Sequence, residues 1–131
     1  MALHLVRGQE GKIRCFGVSI NDHQPANALR LVETGVVDTV QVIYNVFEQA
    51  PEDELLAACG RNDVGVIARV PFDEGSLTGR LTADSTFPEG DFRNDYFSGE
   101  RSLDKVDARV QAILKDLGIS REELPEVALR S

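Results

Sequence analysis

Cysteine is scarce. The chain has two, Cys15 and Cys59, and no CxxC pair, which excludes a disulfide scaffold and a cysteine-rich zinc site. Such usage fits a reducing cytoplasm, with both thiols expected to be buried as small apolar groups. Long apolar runs are missing, so no segment reads as a membrane span. The start, Met1-Ala2-Leu3-His4-Leu5-Val6-Arg7, lacks the apolar centre of a signal peptide. Basic charge is short as well: 14 Lys and Arg against 22 Asp and Glu leave a net charge of −8. That balance argues against nucleic acid or an anionic membrane as partner. The two histidines, His4 and His23, have no metal-like spacing and read as surface residues. GxGxxG, Walker, HExxH and GxSxG motifs are all absent.

What is present is an ordinary globular composition over 131 residues, read as a single domain, 1–131, large enough to bury a core. Three segments carry strand signals: 13–19, 39–44 and 64–70, the last closed by Pro71. Between them lie helix signals. Asn21 and Asp22 are cap-type residues ahead of Pro25, Ala28, Leu29, Leu31 and Val32 recur at helical spacing, and Gly35 supplies a stop. The next helix begins at Pro51-Glu52-Asp53-Glu54 and ends at Gly60. The strands start 26 and then 25 residues apart, a β-α-β-α-β rhythm that implies parallel strands joined by right-handed crossovers. Beyond Pro71 the rhythm breaks. Residues 71–101, with Gly75, Gly79, Pro88 and Gly90, read as a long loop, a kind usually functional or mobile. Ser102 then caps an amphipathic helix whose stripe is Leu103, Val106, Val110, Ile113, Leu114 and Leu117, stopped by Gly118. Ser120-Arg121-Glu122-Glu123 resembles a capping box, and Pro125 divides that segment into a turn and a new helix start.

In parallel α/β folds ligands bind at the C-terminal ends of strands. Those ends carry Ser19 and Asn21, then Gln41 and Asn45, then Arg69 and the glycine-containing loop. Alternation puts Thr39, Gln41 and Ile43 on one face of the second strand and Val40, Val42 and Tyr44 on the other. A glutamine inside a strand needs a hydrogen-bond partner, either a ligand amide or a protein neighbour. Arg69 could stack on a flat ring, hold phosphate, or simply pair with a carboxylate. The run 72–80, ending at Arg80, offers bare amides and a cation for a pyrophosphate, although Asp73 and Glu74 count against it. Tyr44 reads as packing on the helix side of its strand, Tyr96 as an anchor for the loop, and Asp91, Arg93, Asn94 and Asp95 as a solvated cluster.

These residues resemble the aldo/keto reductase family. Gly11–Ser19 looks like its fifth strand, Val40–Asn45 the sixth, Val64–Phe72 the seventh, and Pro125–Arg130 the helix before the last strand. The order of the four is more specific than any one of them. The resemblance implies parallel βα units of a partial TIM (β/α)8 barrel and hydride transfer between NADP(H), or NAD(H), and a small carbonyl or alcohol. It further implies that Ser19 and Gln41 hold the nicotinamide carboxamide, and that Arg69 stands where many members place an aromatic residue that stacks on the ring. Val70, Phe72 and Gly75 match the start of the pyrophosphate-covering loop, and Arg80 falls near a basic residue there. Ile20 stands where the common pattern has asparagine. The family's catalytic Asp, Tyr, Lys and His come from the first four strands, and no residue here matches them. The expectation is therefore a cofactor half-site that is inactive alone. A complete barrel of this type takes about 250 residues, so three strands leave an open face lined by Cys15, Gly17, Gln41, Ile43 and Ile67. The alternatives are a noncatalytic nucleotide-binding module, or an interaction module that uses its open edges to form a homo-oligomer or to pair with a complementary half-barrel.

Overall fold

The computed structural model describes residues 10–20 and 23–131. His4, Asn21 and Asp22 lie outside the described residues. The chain divides into two compact units, Met1–Val70 and Pro71–Ser131. The boundary falls where the strand–helix rhythm of the sequence stops.

The first unit is a parallel sheet with helices on one side. Strands β1 (Gly17–Ser19), β2 (Thr39–Ile43) and β3 (Gly65–Arg69) lie in the order β1-β2-β3. Both pairings are parallel, so each connection must travel back along the sheet before the next strand begins. The first does so through a 3-10 turn, Pro25–Ala28, and helix α1 (Leu29–Glu33). The second uses a 3-10 turn, Ala50–Glu52, and helix α2 (Leu55–Arg61). Proline stands first in one turn and second in the other, where its missing N–H has no helical partner to lose. Val40 and Val42 are buried against Val32, Leu55, Ala58 and Cys59, and Tyr44 packs beside them. Each of the larger aliphatic side chains buried here contributes roughly 1.5 to 3 kcal/mol. The opposite face, with Thr39, Gln41 and Ile43, is only half-buried.

Three local expectations need correction. β1 is limited to Gly17–Ser19 because its pairing begins at Gly17 opposite Thr39. Upstream, Asp38 turns the chain: its carboxylate accepts from Phe16 N–H at 2.6 Å, and its own N–H donates to Phe16 O at 2.7 Å. Helix α2 passes through Gly60 to Arg61 and ends at Asn62, whose Nδ2 donates to Ala58 O at 2.9 Å, followed by Asp63 at φ 55°. The short polar side chains of asparagine and aspartate tolerate such helix-ending geometry. Cys59 is buried as expected, but Cys15 is exposed, two residues ahead of β1.

In the second unit, residues 71–101 form successive short helical turns rather than an open loop. A 3-10 segment, Asp73–Thr78, is followed by α3 (Arg93–Tyr96) and a turn at Gly99–Arg101. The longer α4 (Leu103–Leu117) and α5 (Leu124–Arg130) both pack on the Asp73–Thr78 segment. Leu77, Phe97, Val106, Val110, Leu124 and Ala128 are buried. Phe87 stacks on Phe97, and the Arg93 guanidinium lies 4.4 Å from the Phe87 ring centroid. The stripe of α4 is covered in its middle, whereas Leu117 at its end is exposed. Ser102 occupies the N-cap but makes no capping bond. Its hydroxyl instead bonds the Asp104 carboxylate, holding that group below its ordinary pKa. Of the expected capping box one half forms, Ser120 N–H to Glu123 Oε2 at 2.8 Å, and α5 starts one residue later, with Pro125 in its first turn.

Candidate functional site

The register of the sheet brings the strand-end residues together. Ser19 lies directly opposite Gln41, and Gln41 opposite Ile67; two residues further on, Ile43 is opposite Arg69. Because side chains alternate, Ser19, Gln41, Ile43, Ile67 and Arg69 share the face turned away from α1 and α2. Neither the Ser19 hydroxyl nor the Gln41 amide has a hydrogen-bond partner among the described residues. Arg69 carries a stronger signal. Among the described residues its Nε is fully buried and makes no hydrogen bond, although a guanidinium donor taken out of water ordinarily finds an acceptor. Ile67 on the same face is 49% exposed, so an apolar floor adjoins these polar groups. Ile20 points the other way, into the core.

Asn45, a strand-end candidate, has a structural role. Its Oδ1 accepts from Phe47 N–H at 2.9 Å and Glu48 N–H at 3.0 Å, while its Nδ2 donates to Val70 O at 3.0 Å. Val70 has φ 58°, a region that costs a β-branched residue about 1 to 3 kcal/mol. Asn45 thus holds the strained backbone at the end of β3. Nothing in the local pattern around Asn45 signals this bond, since its acceptor lies 25 residues away. Tyr44 donates to Glu52 Oε1 at 2.6 Å on the helix side, and that bond pushes its pKa up. His23 is a partly exposed partner of Glu48 at 3.2 Å.

The remaining candidates belong to the second unit. The Phe72 carbonyl accepts from Gly75 N–H at 3.0 Å and Leu77 N–H at 3.1 Å. Between them Asp73, Glu74 and Gly75 have φ of 47°, 54° and 110°. Asp73 is 4% exposed. Its carboxylate accepts from Ser76 Oγ at 2.9 Å, Tyr96 Oη at 2.8 Å and Arg101 Nη1 at 3.2 Å. Arg101 Nη1 also donates to Tyr96 Oη at 2.7 Å. Burial, then the bond to Asp73, pushes the Tyr96 pKa strongly upward, so the phenol stays protonated. Asp73 therefore does not stand as a free negative charge on the loop, which removes half of the objection to an anionic ligand. The sequence does place Tyr96 as an anchor, but its acceptor Asp73 lies 23 residues away, and Arg101 reaches the same carboxylate from 28 residues away, so neither bond leaves a local trace. Arg80 is exposed beside an open cleft of about 330 Å³ that it lines with Thr78, Gly79, Arg121, Glu122 and Pro125. Its guanidinium has no partner among the described residues, whereas Arg121 is paired with Asp107 and with Leu81 O.

With this geometry in view, the sequence matches the model of the aldo/keto reductase family over residues 4–130. The chain belongs to the aldo/keto reductase family. The aldo/keto reductase chain is 36% identical over 89 residues to the NADP(+) aldo-keto reductase yakc of Schizosaccharomyces pombe, a match covering 65% of this chain and 25% of that protein. It is 35% identical over 100 residues to an NADH-specific methylglyoxal reductase of Escherichia coli, covering 75% and 29%. It is 31% identical over 107 residues to the aldo-keto reductase YhdN of Bacillus subtilis, covering 73% and 32%. Among solved structures it superimposes on a glycerol dehydrogenase of Gluconobacter oxydans with a TM-score of 0.65 and 26% identity, over 95% of this chain and 38% of that one. The chain thus spans well under half the length of its relatives, and its three parallel strands correspond to part of an aldo/keto reductase TIM barrel. Among the described residues no helix is long and apolar enough to cross a membrane, and no cluster of His, Cys, Asp or Glu could hold a metal ion.

Proposed function

We propose that this chain supplies the cofactor-holding part of an aldo/keto reductase that interconverts small carbonyls and alcohols, NADP(H) being the expected cofactor and NAD(H) the alternative. The single observation behind this reading is the face shared by Ser19, Gln41 and Arg69, where, among the described residues, two side chains lack partners and one guanidinium donor is buried without an acceptor. A flat carboxamide-bearing ring fits that set. Gln41 and Ser19 would bond its amide, and the Arg69 plane would lie against the ring or donate to it. When bound, the nicotinamide supplies the hydride-carrying carbon of the reaction. For the pyrophosphate the residues proposed are Val70, at the end of the first unit, and Phe72 and Gly75 of the second, through their backbone, with Arg80 as the cation that would offset its charge. No residue here is assigned to the family's Asp, Tyr, Lys and His, so the proton-transfer half of the chemistry is expected elsewhere in a complete enzyme, in one cytoplasmic domain of which residues 1–131 are part.

The test is titration of the 131-residue chain with NADPH and with NADH, followed by cofactor fluorescence. A saturable change that Gln41→Ala weakens about tenfold, the worth of one or two lost hydrogen bonds, supports the reading. Wild-type protein that leaves the fluorescence of both cofactors unchanged removes it. A second reading has its own observation. Among the described residues β1 and β3 are the two edges of the sheet with no further strand beside them, and Val66 and Ile67 of β3 are 39% and 49% exposed, which fits a chain that pairs with a complementary half-barrel. Recovery of carbonyl reduction on mixing with a separately produced N-terminal half would support it.

A further inference from the structure

The second unit contains a buried polar network that the proposed cofactor contacts do not use. Its centre is Asp73, whose carboxylate takes three hydrogen bonds, from Ser76, Tyr96 and Arg101. Ser76 is buried with it and also donates to Asp73 O at 2.8 Å. The bonds from Tyr96 and Arg101 come from well outside the corner. They converge where the backbone is least comfortable, since Asp73 and Glu74 sit in the left-handed region and neither is glycine. Such a conformation persists only when surrounding contacts over-determine it. A carboxylate removed from water and fully bonded is one means of doing so, because breaking any one bond leaves a buried charge undersatisfied.

We infer that Tyr96 and Arg101 are positioning residues: through Asp73 they hold the Phe72–Thr78 corner in the shape that receives the cofactor's pyrophosphate. This rests on the cofactor reading above. The corner presents Phe72 and Gly75, two of the residues proposed for that contact, and it turns on the Phe72 carbonyl, which accepts the Gly75 and Leu77 amides. The Tyr96 ring meets Phe97 edge-on at 5.1 Å, and the Arg101 guanidinium lies 5.1 Å from its centroid. Tyr96→Phe would therefore remove the hydroxyl and leave the ring packing in place.

The experiment compares wild type, Tyr96→Phe and Arg101→Gln in the full chain by two readouts. The first is affinity for NADPH against reduced nicotinamide mononucleotide, which lacks the pyrophosphate link. The second is hydrogen exchange at the Gly75 and Leu77 amides, with β2 amides as the internal reference. The expected result is a loss of about tenfold for NADPH in either variant, in line with bonds to a charged group, with the mononucleotide unaffected. Exchange at Gly75 and Leu77 should rise while β2 stays protected. Equal NADPH affinity in wild type and both variants overturns the inference. So does exchange that is unchanged at the corner, or that rises equally in β2. If wild type binds neither nucleotide, the cofactor reading fails by itself. Exchange then decides the anchoring role alone, faster corner exchange supporting it and unchanged exchange ending it.

Discussion

At the scale of single residues, backbone conformation separates glycines that the fold requires from one that it tolerates. Gly79 has φ 73°, and a Cβ built there would stand 2.2 Å from the Arg121 carbonyl oxygen. Gly79→Ala meets both a strained φ and a backbone clash, and is expected to destabilise the second unit by more than about 2 kcal/mol. Gly60 lies inside α2, and a methyl group there would meet nothing within 4 Å. Gly60→Ala should therefore stabilise the first unit by about 0.5 to 1 kcal/mol, because alanine loses less backbone freedom in a helix. Urea unfolding curves of the two variants should shift their midpoints in opposite directions. Both glycines look alike in the sequence, where each reads only as a turn or a stop. What distinguishes them is the neighbouring chain, and Arg121 is far from Gly79 in sequence. Ser19 and Gln41 were legible for a different reason. A period of two assigns a strand residue to a face whatever its partner is, and the parallel register then sets the two opposite each other.

At the scale of elements, the strongly periodic segments were legible and the short ones were not. Helix α4 carries its apolar stripe and a glycine at its end, Gly118 at φ 66°, and its bounds follow from those two signals. Residues 71–101 offer no such period, so their short turns could not be distinguished from loop. Beside the distant bonds to Asp73, these turns are held by side chains bonding to near neighbours, as at Asp91. That carboxylate accepts from Arg93 Nη2 at 2.6 Å, Arg93 Nε at 3.0 Å and Arg93 N–H at 2.9 Å. The Arg93 side chain is the main reason its pKa falls to about 2, with the backbone bond next. The folded pKa lies below the ordinary carboxylate value near 3.9, so the pair stabilises the folded turn above about pH 4 and loses that contribution as pH drops toward 2. In Arg93→Ala the Asp91 pKa should rise toward the ordinary value while the retained backbone bond still holds it below, as followed by its carbon chemical shift. A wild-type Asp91 that already titrates near 4 would contradict the pairing.

For the whole molecule, the decisive feature is a parallel sheet whose two edges have no further strand among the described residues. Parallel sheets in α/β proteins normally have both faces covered. Here helices cover one face, while the other exposes Ile67 and leaves Gln41 and Ile43 half-buried. The sequence shows this shortfall, because three strands are too few to close a barrel, and the comparison with a barrel of which the chain covers 38% agrees. An exposed apolar surface beside unpaired strand edges favours association with another chain. The 131-residue chain alone is therefore expected to self-associate, giving a light-scattering mass above that of one 14.4 kDa protomer. Ile67→Lys should lower that mass. It puts a charge on the uncovered face of an edge strand, while the core of the first unit, built from Val40, Val42, Leu55 and their neighbours, does not include Ile67. Circular dichroism should then show the same helix and strand content at the reduced mass. A wild-type chain that runs as a well-folded monomer at high concentration would mean that the uncovered face needs no partner, and the half-barrel pairing would lose its physical basis.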